Sequence, residues 1–362
     1  MVALNFNATS DPTLEAVDAA IEAAQSTDQR PYLGMSSLGD SCDRKLFYSF
    51  RWMTAVKFDA ATLKRFDDGH RGEDLQADRL RMVKGITLHT VDRNTGNQFG
   101  FVACGGHVRG HMDGAIVGLL QAPKTWHVWE HKQVGEKNFK ALLKLKETKD
   151  EKDVLQAWNK TYYAQAQLYM HFSGMTRHYL TCSTPGGRET TSVRTDANKQ
   201  DAIALADRAE RIVNAPAPLD GVSDDPDYFE CRWCDYATLC HGSAAPLPTC
   251  RSCSHSTPEP GGTWTCARHQ GKTLSVPEQK QGCQAHRVIP VLLRNWAEPV
   301  DASDQDNWVR YAMKDGGEFT NGAPPTAYSS DEIHACQDKR ALGFVADEYK
   351  DLREQFGAEI VG

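Results

Sequence analysis

The 362-residue sequence predicts an α/β protein built on a mixed central sheet flanked by helices. Three observations carry that expectation. Amphipathic helices come first, followed by a run of short β-like segments, a helix, two more strands and another helix. The composition, 40% hydrophobic and 25% charged, is that of an ordinary globular chain. After Asn214 it shifts to Pro, Gly, Ser and Cys, with no convincing periodicity until about residue 286. That stretch needs something other than a large apolar core to hold it.

Residues 10–26, SDPTLEAVDAAIEAAQS, read as a helix: Ser10 caps, Pro12 sits in the first turn, and Leu14, Val17 and Ile21 recur at helical spacing. ATLKRFDDGHRGEDLQADRLRMVKG (61–85) reads as a long helix ending at Gly85. ITLHTVD, GFVACGG, VRGHMDGAIVGLL and TWHVWEHKQV read as short strands separated by polar or Gly/Pro turns. A long helix over 153–173 closes at Gly174. RHYLTCST and ETTSVRT read as strands, and 197–213 as another helix.

No apolar run approaches the roughly 18–20 residues that span a bilayer. The N-terminus lacks the basic and apolar regions of a signal peptide. The expected compartment is therefore a reducing cytosol, without membrane association. The net charge of -7 lies in the tail: from Asp301 onward 13 acidic residues face 6 basic ones, and the first 300 residues balance. Within them KQVGEKNFKALLKLK (132–146) has five lysines against one glutamate, either a strip for a nucleic-acid backbone or a solvated helix face.

The segment HMDGAIVGLLQAPKTWHVWEHKQV carries candidate chemistry. Asp113 is expected in one strand, with Glu130 and Lys132 in the next. Side chains two apart on a strand share a face, so Glu130 and Lys132 point together and His131 points away. Neighbouring strands would bring Asp113 to them. Two carboxylates form a hard oxygen site suited to Mg²⁺ or Mn²⁺, and a lysine beside them offsets charge developing on a phosphate. His70 and Glu73 lie three apart on a helix, on one face, and both are metal-binding types. Gln165 and Tyr169 lie four apart on the later helix, likewise on one face. Each pair also fits a helix-surface polar pair, and the carboxylate set also fits surface salt bridges.

Eleven cysteines are many for a cytosolic chain, and seven crowd between Cys231 and Cys283. Such clustering reads as metal binding before disulfides. CRWCDYATLC supplies Cys231, Cys234 and Cys240, and the lone upstream Cys42, in SSLGDSCDRKLFYSFRW, is the candidate fourth ligand. Four thiolates fit zinc or an iron–sulfur cluster, and spacing does not choose.

The ordered set Cys, His/Glu, Asp, Glu-x-Lys, Gln-x-x-x-Tyr and Cys-x-x-Cys-x-x-x-x-x-Cys, over about residues 36–242, resembles the PD-(D/E)XK nuclease superfamily. Within it the chain is similar to the iron–sulfur branch of CRISPR-adaptation nucleases and RecB- and AddB-type nuclease domains, including phage-encoded stand-alone members. The resemblance implies a restriction-endonuclease-like core in which Asp113 and Glu130 bind metal and Lys132 is the catalytic lysine. Gln165 and Tyr169 match the helix motif. Either His70 or Glu73 is the first-motif ligand. Cys42, Cys231, Cys234 and Cys240 would hold a [4Fe–4S] staple. Met112 stands where the name-giving proline would be.

Beyond that core, Cys250, Cys253, Cys266 and Cys283 outline a small zinc-ribbon-like module, with His255, His269 and His286 as substitute ligands. Cys104, Cys182 and Cys336 read as small buried hydrophobes. The expected organisation is an N-terminal helical segment (1–35), the nuclease core (36–242), the cysteine-rich Zn²⁺ module (246–290) and an acidic C-terminal segment (291–362). DKRALGFVADEYKDLREQF in the last is expected to be helical. The expected function is a Mg²⁺- or Mn²⁺-dependent deoxyribonuclease, exonuclease ahead of endonuclease. It would act on DNA ends or single-stranded DNA, with a recombination or replication protein as a partner, in a bacterial host cytosol if phage-encoded. The rivals are a catalytically silent nucleic-acid-binding protein and a metal-stapled interaction protein.

Overall fold

The computed structural model describes residues 11–26, 29–55, 57–343, 353 and 355–361. The chain divides into two compact units, each assembled from separated segments. One comprises residues 1–28, 56–100 and 111–199, the other 29–55, 101–110 and 200–362. No helix among the described residues is long and apolar enough to cross a membrane.

The first unit opens with α1 (Pro12–Ala24), where the Asp11 carboxylate accepts from the Thr13 and Leu14 amides. Asp11 is therefore the cap in place of Ser10, which lies outside the described residues. Helix α2 (Ala60–Arg81) starts at the Asp59 cap and stops four residues short of Gly85. Five strands follow: β1 (Thr87–His89), β2 (Gly114–Val117), β3 (His127–Gln133), β4 (Arg177–Ser183) and β5 (Thr190–Asp196). They form one mixed sheet in that spatial order. Only the β3–β4 pair is parallel. A parallel pair needs a long crossover, supplied by α3 (Glu136–Thr148), α4 (Glu151–Trp158) and α5 (Lys160–Ser173).

The helix expected over 153–173 is thus two helices. Asn159 breaks it, taking an extended backbone while its side-chain oxygen accepts the Tyr162 amide. A short amide side chain that bonds nearby backbone favours a cap over a helix interior. Alternate residues Leu88, Ile116 and Trp129 pack against Ala77 and Leu80 of α2. The other face of β3 is left to Glu130 and Lys132.

His178 on β4 is fully enclosed, and neither ring nitrogen has a hydrogen-bond partner among the described residues. Burial, then the charges of Lys132 and His127, pushes its pKa down to about 3. The folded state therefore holds His178 neutral while the unfolded chain takes up a proton below about 6.5. Stability then falls as pH drops, between about 6.5 and about 3, with a limiting slope of about 1.4 kcal/mol per pH unit from this residue. Urea titrations at stepped pH should show a shallower acid slope for His178→Phe than for wild type. An unchanged slope would refute this account.

In the second unit the stretch 214–286 is not structureless. Ser256–Glu259, Thr263–Cys266 and Lys272–Leu274 form an antiparallel sheet with Thr263–Cys266 in the centre. Val276–Gln281 is a helix opened by a reciprocal Ser275/Glu278 capping box. Strands of three or four residues are too short to register as a period. A second meander joins Ala297–Ser303, Trp308–Met313 and Glu318–Asn321. Of the helix expected near the C-terminus, Arg340–Gly343 is helical, and residues 344–352 and 354 lie outside the described residues.

Several arginines sit inside this unit, Arg51 and Arg251 among the most enclosed. The Arg251 guanidinium lies 3.7 Å from the Trp52 ring centroid and 4.8 Å from that of Trp264. It donates to Gln279 Oε1, the Phe50 carbonyl and the Pro31 carbonyl at 2.9–3.0 Å. Arg51 donates to the carbonyls of Arg251 and Ala215. Carbonyls and aromatic faces stand where a carboxylate would usually be. Burial, and then the charge of Arg51, lowers Arg251 to about 9, which leaves it protonated at neutral pH.

Candidate active site

Asp113 does not lie within a strand as expected. It occupies the break between Val108–His111 and β2, immediately before Gly114. A side chain at Gly114 would bring its Cβ within 2.6 Å of the His89 carbonyl oxygen, so this turn onto the sheet needs glycine. β2 and β3 are antiparallel neighbours with Gly114 opposite Trp129, which carries Asp113 to Glu130. The Asp113 amide donates to Glu130 Oε1 at 3.2 Å, and the His131 amide donates to Asp113 Oδ2 at 2.8 Å. Glu130 is 1% exposed. Its Oε2 accepts from Lys132 Nζ at 2.9 Å and from Gln165 Nε2 at 3.0 Å. His131 points the other way, its ring against the Thr181 and Ser183 hydroxyls of β4.

Helix α5 covers this face. Gln165 also reaches the Tyr169 hydroxyl at 3.3 Å, so the pair expected four apart does meet at Glu130. The Lys132 ammonium lies 5.6 Å from the Tyr162 ring centroid. Tyr162 was not among the expected site residues. Its signal was available, because Tyr162, Gln165 and Tyr169 recur at i, i+3 and i+7. Helix α2 approaches from the other side, with Gly72 packed against the end of the Gln133 side chain. One residue on, Glu73 is half-buried and feels both Asp113 and Lys132, whereas His70 is exposed and acts on Asp113 through charge.

The electrostatics are those of crowded acids around one cation. Burial, then the Asp113 charge, pushes Glu73 up to about 7, with Lys132 pulling the other way. Asp113 is raised by burial despite Lys132 and the His131 amide. Glu130 is raised by burial and then by Asp113, and its bond to Lys132 does not fully compensate. Burial works against the Lys132 ammonium, but Glu130 and Asp113 outweigh it and hold the lysine charged. The ion pair thus favours the lysine, while burial and mutual repulsion hold the three carboxyl groups above the ordinary carboxylate range.

Lys132 therefore does not belong to the surface lysine strip. Lys137, Lys140 and Lys144 are exposed on α3, and Lys146 is tied to Thr191 and the Ser192 carbonyl.

All eleven cysteines are free thiols. Cys42 caps the helix Asp43–Phe50, and the Lys45 amide donates to its sulfur at 3.4 Å. Arg44 donates to the Cys240 sulfur at 3.3 Å. Cys231 is raised by burial and then by the charges of Cys240 and Cys42; Cys234 is raised by burial and feels Cys42. The four thiols expected to form one set are therefore within electrostatic reach of one another. So are Cys250, Cys253, Cys266 and Cys283, which line a cavity of about 150 Å³. Among the described residues, however, no three His, Cys, Asp or Glu side chains form a group that could hold a metal ion.

His286 and His255 line the same cavity. The His286 Nε2 is engaged by the Thr249 carbonyl and the Ser252 hydroxyl, while its Nδ1 has no hydrogen-bond partner among the described residues, and the His255 Nε2 meets the Asn307 side chain. His269 stands 3.7 Å from the Cys283 sulfur. Of the remaining cysteines, Cys182 and Cys336 are buried and Cys104 is half-buried.

No protein-family profile matches the chain, and no curated protein does. Solved structures with partial likeness include SSO0001, at a TM-score of 0.36 and 12% identity over 64% of this chain and 96% of that one. An alkaline exonuclease (LHK-Exo) from Laribacter hongkongensis aligns at a TM-score of 0.34 and 14% identity, over 54% of this chain and 90% of that one. Its complex with dAMP aligns at 0.33 and 13%, over 55% and 90%. At TM-scores this low the likenesses assign no activity to this chain. What stands on its own geometry is a mixed α/β fold with a buried carboxylate–lysine cluster on its sheet.

Proposed function

We propose that the protein is a metal-dependent deoxyribonuclease of PD-(D/E)XK type, acting on DNA ends or single strands, as an exonuclease ahead of an endonuclease. The observation that carries this reading is the convergence of buried Asp113, buried Glu130 and half-buried Glu73 on the half-buried cation Lys132. Acids so crowded that their pKa values rise form a donor set that a hard divalent cation relieves. Asp113 and Glu130 would hold Mg²⁺ or Mn²⁺, with Glu73 the nearer candidate for a third ligand and exposed His70 the alternative. When bound, the cation supplies Lewis-acid polarisation of a phosphoryl oxygen.

The chain's own groups do the rest. Gln165 and Lys132 fix the Glu130 carboxylate through two donors to one oxygen. Lys132, kept protonated by its neighbours, offsets the negative charge that grows on the phosphate as water adds and the ester bond breaks. Tyr169 holds Gln165, and Tyr162 gives the ammonium an aromatic wall.

The same reading places a [4Fe–4S] cluster at Cys42, Cys231, Cys234 and Cys240 and Zn²⁺ at Cys250, Cys253, Cys266 and Cys283. Mutual proximity of the thiols supports both. The buried arginines Arg51 and Arg287 also feel Cys253, and a metal–thiolate centre would give them negative charge. The site of action is a reducing cytosol, with a recombination or replication protein as partner.

A cleavage assay on end-labelled single-stranded and duplex DNA tests the function. Activity with Mg²⁺ or Mn²⁺ and its loss in EDTA are expected. No cleavage with either metal by anaerobically purified protein would overturn the nuclease reading. Iron and zinc analysis of the same sample checks the two thiolate centres separately.

A further inference from the structure

The sheet face that carries Glu130 and Lys132 continues to a feature the catalytic reading does not use. Pairing fixes the alignment: His89 of β1 lies opposite Ala115 of β2, and Ala115 opposite Val128 of β3. Opposed residues in antiparallel strands share a face. His89, Ala115 and Val128 therefore face the same way as Glu130 and Lys132, and Trp126, two residues before Val128, continues the alternation. Across β2 the His89 and Trp126 rings stack, with centroids 5.8 Å apart and planes within 21°.

Trp126 remains 43% exposed, so part of its ring is open to a ligand. Cationic groups lie on the neighbouring segments. Arg81 donates to the Thr90 hydroxyl, next to His89, at 2.9 Å. Lys84 and Lys124 are exposed on the adjoining turns. The nearest acid known to engage Arg81 is Asp78, at 3.1 Å and itself largely exposed. Four residues of strand separate Trp126 from Glu130, about 13 Å. At 3.4 Å per stacked nucleotide, and more when the strand is extended, that is on the order of two to four nucleotides.

We infer that the His89–Trp126 stack is a base-stacking subsite for single-stranded DNA, holding a nucleobase a few nucleotides from the phosphate at the carboxylate cluster. The inference rests on the nuclease reading for its substrate but not on cleavage for its test. A flat π-face accepts any base, and the adjacent cations meet the backbone, which is the usual construction of sequence-tolerant single-strand binding. A duplex keeps its bases paired and stacked on one another, so it offers the ring no free face.

Fluorescence anisotropy of a labelled oligothymidine of about a dozen nucleotides, with EDTA present to prevent turnover, reads the subsite directly. Trp126→Ala should weaken binding roughly 5- to 150-fold, the range of one lost base stack. Trp126→Phe should recover most of it, and a blunt duplex of equal length should bind both variants as it binds wild type. Trp126 is at the surface, and a far-UV circular dichroism spectrum matching wild type confirms the fold. Oligothymidine binding unchanged in Trp126→Ala would overturn the inference while leaving the nuclease reading intact. An equal loss on the duplex would also overturn it, because the subsite would then not be specific to single strands. A wild-type protein that binds the oligonucleotide through Trp126 yet cleaves no DNA would instead fail the nuclease reading alone.

Discussion

Glu130→Ala and Lys132→Ala are each expected to lower the rate of DNA cleavage by at least about 10²–10³-fold, with the far-UV circular dichroism of the wild type retained. Glu130 is the hub of the site, since its two oxygens take the Asp113 amide, the Lys132 ammonium and the Gln165 amide. Removing it frees Lys132 and Gln165 together and leaves Asp113 and Glu73 as the acids of the cluster. Lys132→Ala has a different second consequence. It strips the cation from carboxylates already raised by burial and mutual repulsion, so they take up protons and dependence on added Mn²⁺ should shift to higher concentration. Lys132→Arg should not rescue, because a planar fork does not reproduce a compact ammonium held by one oxygen. Wild-type cleavage by Glu130→Ala would remove the assignment of this cluster as the active site.

Arg251→Ala should destabilise the second unit by about 3–5 kcal/mol, on the scale of large core truncations and lost buried donors. The side chain is 1% exposed and spans Trp52, Trp264 and Phe50. Its removal opens a cavity among rings and leaves Phe50 O, Pro31 O and Gln279 Oε1 without their donor. Arg251→Lys should recover little, since one ammonium cannot serve three divergent acceptors and lie flat between rings. The urea midpoint followed by tryptophan fluorescence checks both. A chain ending after residue 245 lacks Arg251, Trp264 and Gln279 altogether, and by the same argument should be insoluble or lose the packing of 29–55. A soluble truncation with native near-UV circular dichroism would show that the arginine is dispensable.

Sequence legibility followed the strength of the local signal. Alternation on a strand was enough to put Glu130 and Lys132 together and His131 apart. A helical repeat of four was enough to bring Gln165 to Tyr169. Asp113 was legible as a neighbour of Glu130 but not as a turn residue, because the apolar run VRGHMDGAIVGLL hides a break that only the Gly114 approach to His89 explains. Tyr162 was missed because it looked like one more aromatic in a long helix, and Asn159 conceals where that helix begins again. The lysine run around Lys132 was read as one patch. Burial separates Lys132 from the exposed lysines beyond it, and composition carries no information about burial. The short strands of 256–274 fell below any detectable period. Their one clear local sign was the Ser275-x-x-Glu278 capping box.

The interleaving of the two units constrains how the chain is made. Arg251 bonds to Phe50 and Pro31, respectively 201 and 220 residues away in sequence. Synthesis at roughly 5–20 residues per second therefore leaves a gap of about 10–40 s between the appearance of these partners. The first unit has all its segments once residue 199 has emerged. Residues 29–55 must wait, presenting Phe47, Phe50, Trp52 and Met53, all buried in the finished fold, to whatever binds apolar nascent chain. The interval ends when the cysteine-rich region, which carries Arg251 and Trp264, has left the ribosome and can close over Phe50 and Trp52.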